Sequence, residues 1–415
     1  MVNKNHDSAT PASLRRTHRG MALALAQRFE GISRVEIARS LGFSEMAATR
    51  IVRELLDVGI LEEIAAEPAR DAAPSRRLGR PKIGLRVRGE GLFAAGITVS
   101  AYHSDVSICD ANGEIVARRT IPYLVEDDIA GTARAYGRHL NDLIEASGID
   151  ARKIVGVGVA LAARTLPDEN VIVRSDYFGW GHDDGAFHEG LRSVVDLPVR
   201  IDNIANALAI GEMRFGLARE IGDFVLIHVA TVIGAAIMTG GRLVRGWNGI
   251  AGMIGHMQSE PAAHRCMCGR TDCLNLNATG FGILSGLGLV ETGAFEPDHL
   301  QDYATRLLDV IESPEGPGLM REAGRRLAPG IDAIRKLLGP ETVILSGYVG
   351  ANPAFVEGVN GANLRAPDAP QAVAGSIAPT QAAALLALTA FCYSDNLDFE
   401  RFVAIAAGAR SSGKG

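Results

Sequence analysis

The chain lacks long apolar runs and has few cysteines. No segment approaches the ~20 uninterrupted apolar residues of a membrane-spanning helix. The first residues, MVNKNHDSATPASLRRTHRG, have no apolar core of the signal-peptide kind. Only five of the 415 residues are cysteine, which disfavours a disulfide-rich extracellular protein. These absences predict a protein of the reducing cytoplasm that has no membrane partner.

Length and charge indicate more than one domain. A chain of 415 residues is too long for one ordinary core, so we expect roughly two or three domains. The first 88 residues, here called the head, hold 16 Lys and Arg against 10 Asp and Glu, a net charge of +6. The body, residues 89–415, carries −12. A basic head on an acidic body is typical of a segment that meets phosphate groups.

Three of the five cysteines lie in one short stretch, His256–Asn275, which reads HMQSEPAAHRCMCGRTDCLN. Cys266, Cys268 and Cys273 provide thiolates, and His256 provides an imidazole, which are the ligands that Zn²⁺ prefers. Because four protein ligands leave no open position, we predict a structural zinc site. The loop is short and polar, so the metal must supply its order.

Two alternatives to this zinc site remain open. The thiols can be unrelated or form a disulfide, although Cys-x-Cys spacing makes a disulfide within the loop geometrically awkward. His264 is a second candidate for the fourth ligand. It lies only two residues before Cys266, where reaching the same ion is strained, and we therefore predict His256.

The head contains a pattern of two helices joined by a glycine turn. A first helix is expected from about residue 13 to 29. Ser33 then caps a short helix, Gly42 provides the turn, and Ser44 caps a longer helix that ends at Gly59. This order is typical of an all-α helix-turn-helix domain, whose second helix enters the major groove of DNA.

The outward face of the longer helix carries the predicted contacts to DNA. Thr49, Arg50 and the residues around Glu45 are candidates for reading bases, and Ser44 and Arg53 for binding phosphates. The predicted DNA-binding residues of this helix are Ser44, Glu45, Ala47, Thr49, Arg50 and Arg53. The alternative interpretation of the whole head is a small helical dimerisation module.

A wing is predicted after these helices. Residues 60–66 and 81–87 are expected to form paired strands, and the tip between them is rich in Pro, Ala and Arg. Arg76, Arg77 and Arg80 suit a narrow minor groove or phosphate contacts. A solvated linker is the alternative for these arginines.

The body reads as two α/β lobes. Two β-rich stretches each open with a pair of adjacent strands around glycines, which predicts duplicated lobes of the actin and hexokinase kind. Their expected extents are 89–202 plus 385–415, and 203–384. The cleft between such lobes is the default ligand site. The strand candidates are 92–99, 105–109, 114–118, 154–160, 199–202, 224–229, 234–238 and 343–345, and the helix candidates are 129–147, 206–215 and 379–393.

These features together resemble the ROK family (repressors, open reading frames, kinases). The resemblance covers nearly the whole chain and rests on the predicted winged helix, the GRP that follows it, and the patterns GxxGxxGH and CxCGxxxC. It implies an N-terminal winged helix-turn-helix on a two-lobed, actin/hexokinase-like (ribonuclease H-like) α/β body. It also implies zinc ligation by the family's histidine and three cysteines, matched here by His256, Cys266, Cys268 and Cys273.

The sequence departs from the family's kinase elements at three points. The general base, the Asp of Asn-Asp-x-Asn, is replaced by Ile204, which cannot accept a proton. The first phosphate loop, Asp-x-Gly-Gly-Thr, reads TVSAY at residues 98–102, and the second, Gly-Thr-Gly-x-Gly, reads ATVIG at residues 230–234. Side chains therefore stand where backbone N–H groups approach phosphate. We expect no ATP-dependent kinase activity.

The family's sugar pocket is also altered. Met253 and Asn275 align with two glutamates that accept hydrogen bonds from sugar hydroxyls in family members. The predicted ligand-binding residues that remain are Asn203, Asn206, His256 and Asn275, with Asp176 as a further candidate. Two interpretations stay open: the effector carries fewer hydroxyls, or the pocket has lost its ligand.

The sequence as a whole predicts a transcriptional regulator, with repression as the expected sign. Its expected partners are a double-stranded DNA operator and a sugar or sugar-like effector, and its expected state is a homodimer or homotetramer. The alternatives are an ATP-dependent sugar kinase with a DNA-binding appendage, and an effector-free regulator controlled by a protein partner.

Overall fold

The computed structural model describes residues 11–65, 83–102, 104–124, 126, 128–362 and 371–412. The helices are α1 (Pro11–Arg28), α2 (Arg34–Leu41), α3 (Glu45–Asp57), α4 (Ile129–Ser147), α5 (Ala186–Arg192), α6 (Ile204–Phe215), α7 (Gly280–Gly286), α8 (Leu300–Glu312), α9 (Gly316–Leu338), α10 (Gly347–Gly350), α11 (Pro353–Ala362), α12 (Pro379–Phe391) and α13 (Phe399–Ser412). The strands are β1 (Leu61–Ala65), β2 (Ile83–Val87), β3 (Phe93–Val99), β4 (Ser104–Asp110), β5 (Ile115–Ile121), β6 (Ile154–Leu161), β7 (Arg164–Leu166), β8 (Val171–Arg174), β9 (Val199–Asn203), β10 (Phe224–Val229), β11 (Ile233–Thr239), β12 (Arg242–Val244), β13 (Thr342–Ser346) and β14 (Ala372–Ala374).

The head consists of α1, α2 and α3 followed by the antiparallel pair β1–β2. Ser33 and Glu36 form a reciprocal capping box at the start of α2, and the side chain of Ser44 accepts a hydrogen bond from the Ala47 amide at the start of α3. Gly42 ends α2 in the left-handed conformation, with φ of 68°, which a side chain would strain. These details confirm the predicted caps and turn.

Two five-stranded mixed sheets form the body, and they have the same topology. The first has the order β5-β4-β3-β6-β9 and the second β12-β11-β10-β13-β14. In each sheet three antiparallel strands come first along the chain, and two strands parallel to the first of them follow. The duplication predicted from the sequence is therefore present.

Helix α12 packs directly on the first sheet, between the head and the cleft. A Cβ atom on Gly96 or Gly158 would overlap the backbone of Ala384 or Ala383, so these two glycines allow the helix to touch the sheet. The lobe boundary expected between residues 384 and 385 falls inside this helix. At its first residue, the carbonyl of Pro379 accepts a hydrogen bond from the Thr98 hydroxyl (3.3 Å).

The head contacts the body beyond the other end of α12. A Cβ atom on Gly20 of α1 would overlap the Ser394 carbonyl, and the guanidinium of Arg19 lies 3.7 Å from the centre of the Phe399 ring. Arg219 also donates to the carbonyl of Arg28 at the end of α1 (2.9 Å). Buried apolar residues of the head, α12 and α13 form one continuous core.

The described helices include none with the length and apolar character needed to cross a membrane.

Candidate functional site: a cysteine cluster beside an interlobe cavity

The four predicted metal ligands meet at one point. One donor atom from each of His256, Cys266, Cys268 and Cys273 lies within 4.8 Å of the others. The Sγ of Cys266 is 3.5 Å from Nδ1 of His256, and the Sγ atoms of Cys268 and Cys273 are 3.5 Å apart. A tetrahedral zinc with Zn–S near 2.3 Å and Zn–N near 2.0 Å places neighbouring donors about 3.5–3.8 Å apart. The donor set therefore fits a metal ion.

A tight turn brings the thiols together. The Cys266 amide donates to the carbonyl of Arg270 (2.8 Å), and the Gly269 amide donates back to the carbonyl of Cys266 (2.7 Å). Gly269 has φ of +89°, so a glycine is needed at this point of the CxCGxxxC pattern. His264 lies outside the cluster, because its Nδ1 contacts the hydroxyl of Ser285.

Burial shapes the protonation of the cluster. It lowers the pKa of His256, so the imidazole is neutral near pH 7 and has a lone pair for a metal. It raises the pKa of the Cys266 and Cys273 thiols. A bound divalent cation would favour the thiolates and displace these protons.

Asn275 connects the cluster to the second sheet. It is 3% exposed, its Oδ1 accepts a hydrogen bond from the Ile233 amide (2.9 Å), and its Nδ2 lies 3.9 Å from the Sγ of Cys266. One buried amide group thus bridges the start of β11 and a sulfur of the cysteine cluster. This bridging role was not foreseen from the sequence, where Asn275 is predicted only as a ligand-binding residue.

A cavity of about 200 Å³ opens next to the cluster, between elements of the two sheets. All four predicted ligand-binding residues, Asn203, Asn206, His256 and Asn275, contribute to its lining, as does Asp176. The structure therefore brings together residues that are up to 99 positions apart in the sequence.

Two of these residues are partly committed to internal hydrogen bonds. Asn203 caps α6, with Oδ1 accepting from the Ala205 amide and Nδ2 donating to the carbonyl of Ala163, both at 2.8 Å. Asn206 donates from Nδ2 to Oδ1 of Asp202 (2.9 Å). Since its Oδ1 accepts no hydrogen bond from the described residues, Asn206 retains an acceptor for a ligand.

Asp202 is fully buried and is not among the residues that line the cavity. Its carboxylate holds the guanidinium of Arg245 through two contacts, 2.7 and 3.1 Å, and also accepts from Thr165 (3.3 Å). Asp202 belongs to β9 of the first sheet, whereas Arg245 follows β12 of the second. The ion pair therefore joins the two lobes.

Comparison with known proteins identifies the family. Residues 94–384, about 70% of the chain, match the ROK family. The chain belongs to the ROK family.

Several ROK relatives are regulators by name. The DNA-binding transcriptional dual regulator NagC of Escherichia coli (strain K12) is 24% identical over 333 residues, covering 78% of this chain and 79% of NagC. The xylose repressor of Caldicellulosiruptor bescii is 24% identical over 330 residues, covering 76% of this chain and 78% of the repressor.

Solved ROK structures share the fold. A ROK family transcriptional regulator, described as a homolog of the E. coli MLC protein, superposes with a TM-score of 0.71 at 20% identity, covering 94% of this chain and 100% of that structure. A ROK glucokinase from Streptomyces griseus in complex with glucose and AMPPNP gives 0.57 at 21% identity, covering 71% of this chain and 98% of the glucokinase. These matches establish the hexokinase-like α/β architecture of the body.

Aromatic side chains lie beside the two segments, 98–102 and 230–234, that the sequence analysis compares with phosphate loops. The ring of Tyr102, after β3, lies 5.5 Å from the ring of Tyr348 in α10. The Tyr348 hydroxyl is 2.8 Å from the hydroxyl of Thr231, in the second loop. Ile204, which the sequence analysis placed at the ROK base position, lines the cavity and is 7% exposed. Apolar and phenolic groups thus occupy this part of the cleft.

Three cavity residues were missed from the sequence. Arg164 and Arg174 face each other across the β7–β8 hairpin, and His228 is the polar residue of the otherwise apolar strand β10. The available signal concerned His228 alone, the one imidazole in the apolar run FVLIHV, because RTL and VIVR are too short to show a polar–apolar period. Burial lowers the pKa of His228 to about 4, so this side chain is neutral near pH 7.

The predicted DNA-binding face of α3 is open to solvent. Ser44, Glu45, Thr49, Arg50 and Arg53 are exposed, and Ala47 is half-buried. Met46, which was not predicted as a contact, is 83% exposed on the same first turn. Arg76, Arg77 and Arg80 lie outside the described residues.

Proposed function

We propose that this ROK protein is a DNA-binding transcriptional regulator, with repression as the expected sign. The observation that carries the proposal is the exposed face of α3, which begins at a capped N-terminus and presents Thr49 and Arg50 to solvent. NagC and the xylose repressor match most of this chain, and their names support the same assignment.

The head is proposed to be a winged helix-turn-helix domain, with residues 89–415 as the effector and oligomerisation domain. In this assignment α3 enters the major groove and β1–β2 form the stem of the wing. Thr49 and Arg50 read bases, and Ser44 and Arg53 contact phosphates. A homodimer or homotetramer places two heads on half-sites about one or two helical turns apart.

The cysteine cluster is proposed to hold a structural Zn²⁺. Three sulfurs and one imidazole nitrogen suit zinc and fill its tetrahedral shell. The ion would fix the loop that precedes Asn275, and Asn275 would hold that loop to β11. The chemistry supplied by zinc here is structural, because no position remains for water.

Kinase activity is the second candidate function, and the ROK glucokinase relative is the reason to weigh it. We propose that this chain has none. Ile204 cannot act as the general base, and Tyr102 and Tyr348 take up space that phosphate needs. Titration with ATP in the presence of Mg²⁺ tests this, and tight nucleotide binding would contradict it.

The cavity is proposed to bind a sugar-like effector. Asn206 offers a free acceptor, and the imidazole of His256 connects the cavity to the metal cluster. Helix α12 begins at Pro379 on the cavity lining and leads toward the Ser394 contact with α1. Effector binding can therefore alter the position of the head. An effector-free regulator, controlled by a protein partner, would show no thermal stabilisation by any sugar or sugar acid.

The test is fluorescence anisotropy of the full chain on its own upstream DNA at several salt concentrations, with unrelated DNA as control. Arg50→Ala should weaken operator binding by ~1–3 kcal/mol and relax the preference over unrelated DNA. Arg53→Ala should weaken both DNAs equally and reduce the salt slope. Arg325→Ala, on an exposed face of α9, should change neither.

Two results would contradict the proposal. Absence of binding to either DNA removes the DNA-binding function. Equal binding of the wild type to both DNAs removes specific regulation of that region. If Arg50→Ala weakens both DNAs equally, Arg50 is a phosphate contact and the base-reading assignment is wrong.

A further inference from the structure

We infer that the ligand of the cavity is a sugar acid with one carboxylate, and that the guanidinium of Arg164 binds that carboxylate. This inference rests on the proposed function, because it names the chemical class of the effector. The sequence predicts only a sugar or sugar-like effector, and the inference adds a negative charge to it.

The cavity lining carries an excess of one positive charge. Its charged side chains are Arg164, Arg174 and Asp176. Asp176 forms an ion pair with Arg174, through a direct contact of Oδ1 with Nε. No carboxylate among the described residues forms an ion pair with Arg164. One cation on the lining is therefore left for a ligand to neutralise.

Arg164 is also short of hydrogen-bond acceptors. Its side chain is half-buried, and its Nε has no contact with solvent and no hydrogen-bond partner among the described residues. A buried N–H group of a cation is costly unless an acceptor reaches it. Because Nε itself is shielded, a carboxylate in the cavity would accept from the two terminal nitrogens, with the two parallel hydrogen bonds that the planar guanidinium favours.

The protein itself provides no free carboxylate for Arg164 among the described residues that line or adjoin the cavity. Asp202 is held by Arg245 and by Thr165, the residue next to Arg164. Met253 and Asn275, which also line the cavity, are both uncharged.

The position of Arg164 is defined by its surroundings. It lies on β7, paired with Arg174 on β8, and its Cγ packs near Gly249, where an added Cβ would lie 3.5 Å away. His228, on the opposite sheet, also presents a buried Nδ1 without a partner among the described residues, and it is neutral near pH 7. The lining thus offers one cation and neutral polar groups, which suits a monoanion with hydroxyls.

Charge matching favours a carboxylate over a phosphate. A carboxylate carries one negative charge and matches Arg164, the arginine of the described lining that forms no ion pair. A phosphate monoester carries about −1.5 to −2 near pH 7. It would bring uncompensated negative charge into a half-buried site. A sugar phosphate is the alternative ligand that the experiment compares with the sugar acids.

The experiment measures ligand binding to the full-length, metal-loaded protein by thermal shift and calorimetry. The probes are the sodium salts of gluconate, glucuronate and galacturonate, the neutral sugars glucose and galactose, and glucose 6-phosphate, all at equal ionic strength. At least one sugar acid should raise the melting temperature more than its neutral parent. Arg164→Met should weaken binding of that acid by about 10- to 100-fold.

Three matched variants keep the result interpretable. Arg164→Lys retains the charge but not the planar fork, so its affinity should lie between wild type and Arg164→Met. Arg325→Met removes the same charge from an exposed face of α9 and should bind the acid like wild type. The same proteins are assayed on operator DNA without ligand, where Arg325→Met should bind as wild type does.

Several outcomes would overturn the inference. In the first, a sugar acid and its neutral parent raise the melting temperature equally, both in the wild type and in Arg164→Met. In the second, glucose 6-phosphate binds more tightly than any acid. In the third, no acid raises the melting temperature. Retained operator binding in these cases would leave the proposed regulator intact. Loss of operator preference by wild type would instead be a failure of the proposed function.

Discussion

Removal of Arg245 should destabilise the protein through a carboxylate that cannot reach water. Asp202 is 0% exposed, and Arg245 provides two of its hydrogen bonds, at 2.7 and 3.1 Å. Among the described residues, Arg245→Met therefore leaves the buried carboxylate with donors from Thr165, Asn206 and the amide of Asn203.

The size of the effect follows from this geometry. Removing one partner of a buried ion pair typically costs about 3–5 kcal/mol. The Arg245 side chain is 37% exposed, which weakens the attraction, and three other donors remain on Asp202. We therefore expect Arg245→Met to lower the free energy of unfolding by about 2–4 kcal/mol.

Urea denaturation followed by circular dichroism, with zinc present throughout, measures this loss. The double variant Asp202→Asn with Arg245→Met should lose less than the sum of the single variants, because the neutral amide needs no cation. Arg321→Met, which breaks the exposed pair with Glu357, is the control and should leave the transition unchanged. A loss for Arg245→Met no larger than that of the control would refute the reasoning.

Two further predictions concern the metal cluster and His228. Cys268→Ser should abolish zinc binding, measured by atomic absorption, and should lower the melting temperature. Asp272→Asn, in the same loop, is the control and should keep the metal. Full zinc content in Cys268→Ser would count against the assigned ligands. Because the pKa of His228 is lowered to about 4, the unfolded chain binds a proton there more readily than the folded one. The free energy of unfolding should thus fall by about 3 kcal/mol as the pH falls from 6.5 to 4. In urea titrations, His228→Gln should show a smaller decrease over this range. The same pH dependence in the variant and the wild type would exclude this contribution.

Local patterns predicted much of the fold. Helix α4 spans 129–147 and strand β10 spans 224–229, as expected, because long periodic segments and short apolar runs determine their own structure. The caps at Ser33 and Ser44 were also predicted correctly, since they depend only on neighbouring residues. The cysteine cluster could be predicted for the same reason, because the ligand types and their spacing are visible within one loop.

The cavity chemistry was harder to predict, because it depends on contacts between distant segments. Asn275 bonds to Ile233, 42 residues away, and Asp202 bonds to Arg245, 43 residues away. Arg164 lies on a strand of three residues, which gives almost no periodic signal. The contacts between the two sheets determine which polar groups have hydrogen-bond partners within the protein and which remain for a ligand.

Helix α12 gives the molecule a mechanical property. Its 13 residues span about 20 Å and touch the first sheet backbone to backbone at Gly96 and Gly158. We expect the helix and the first sheet to move as one rigid unit, so that a displacement at Pro379 is passed on to the head contact at Ser394. The same rigidity works in reverse: if the ligand changes operator affinity by some factor, bound DNA must change ligand affinity by that same factor.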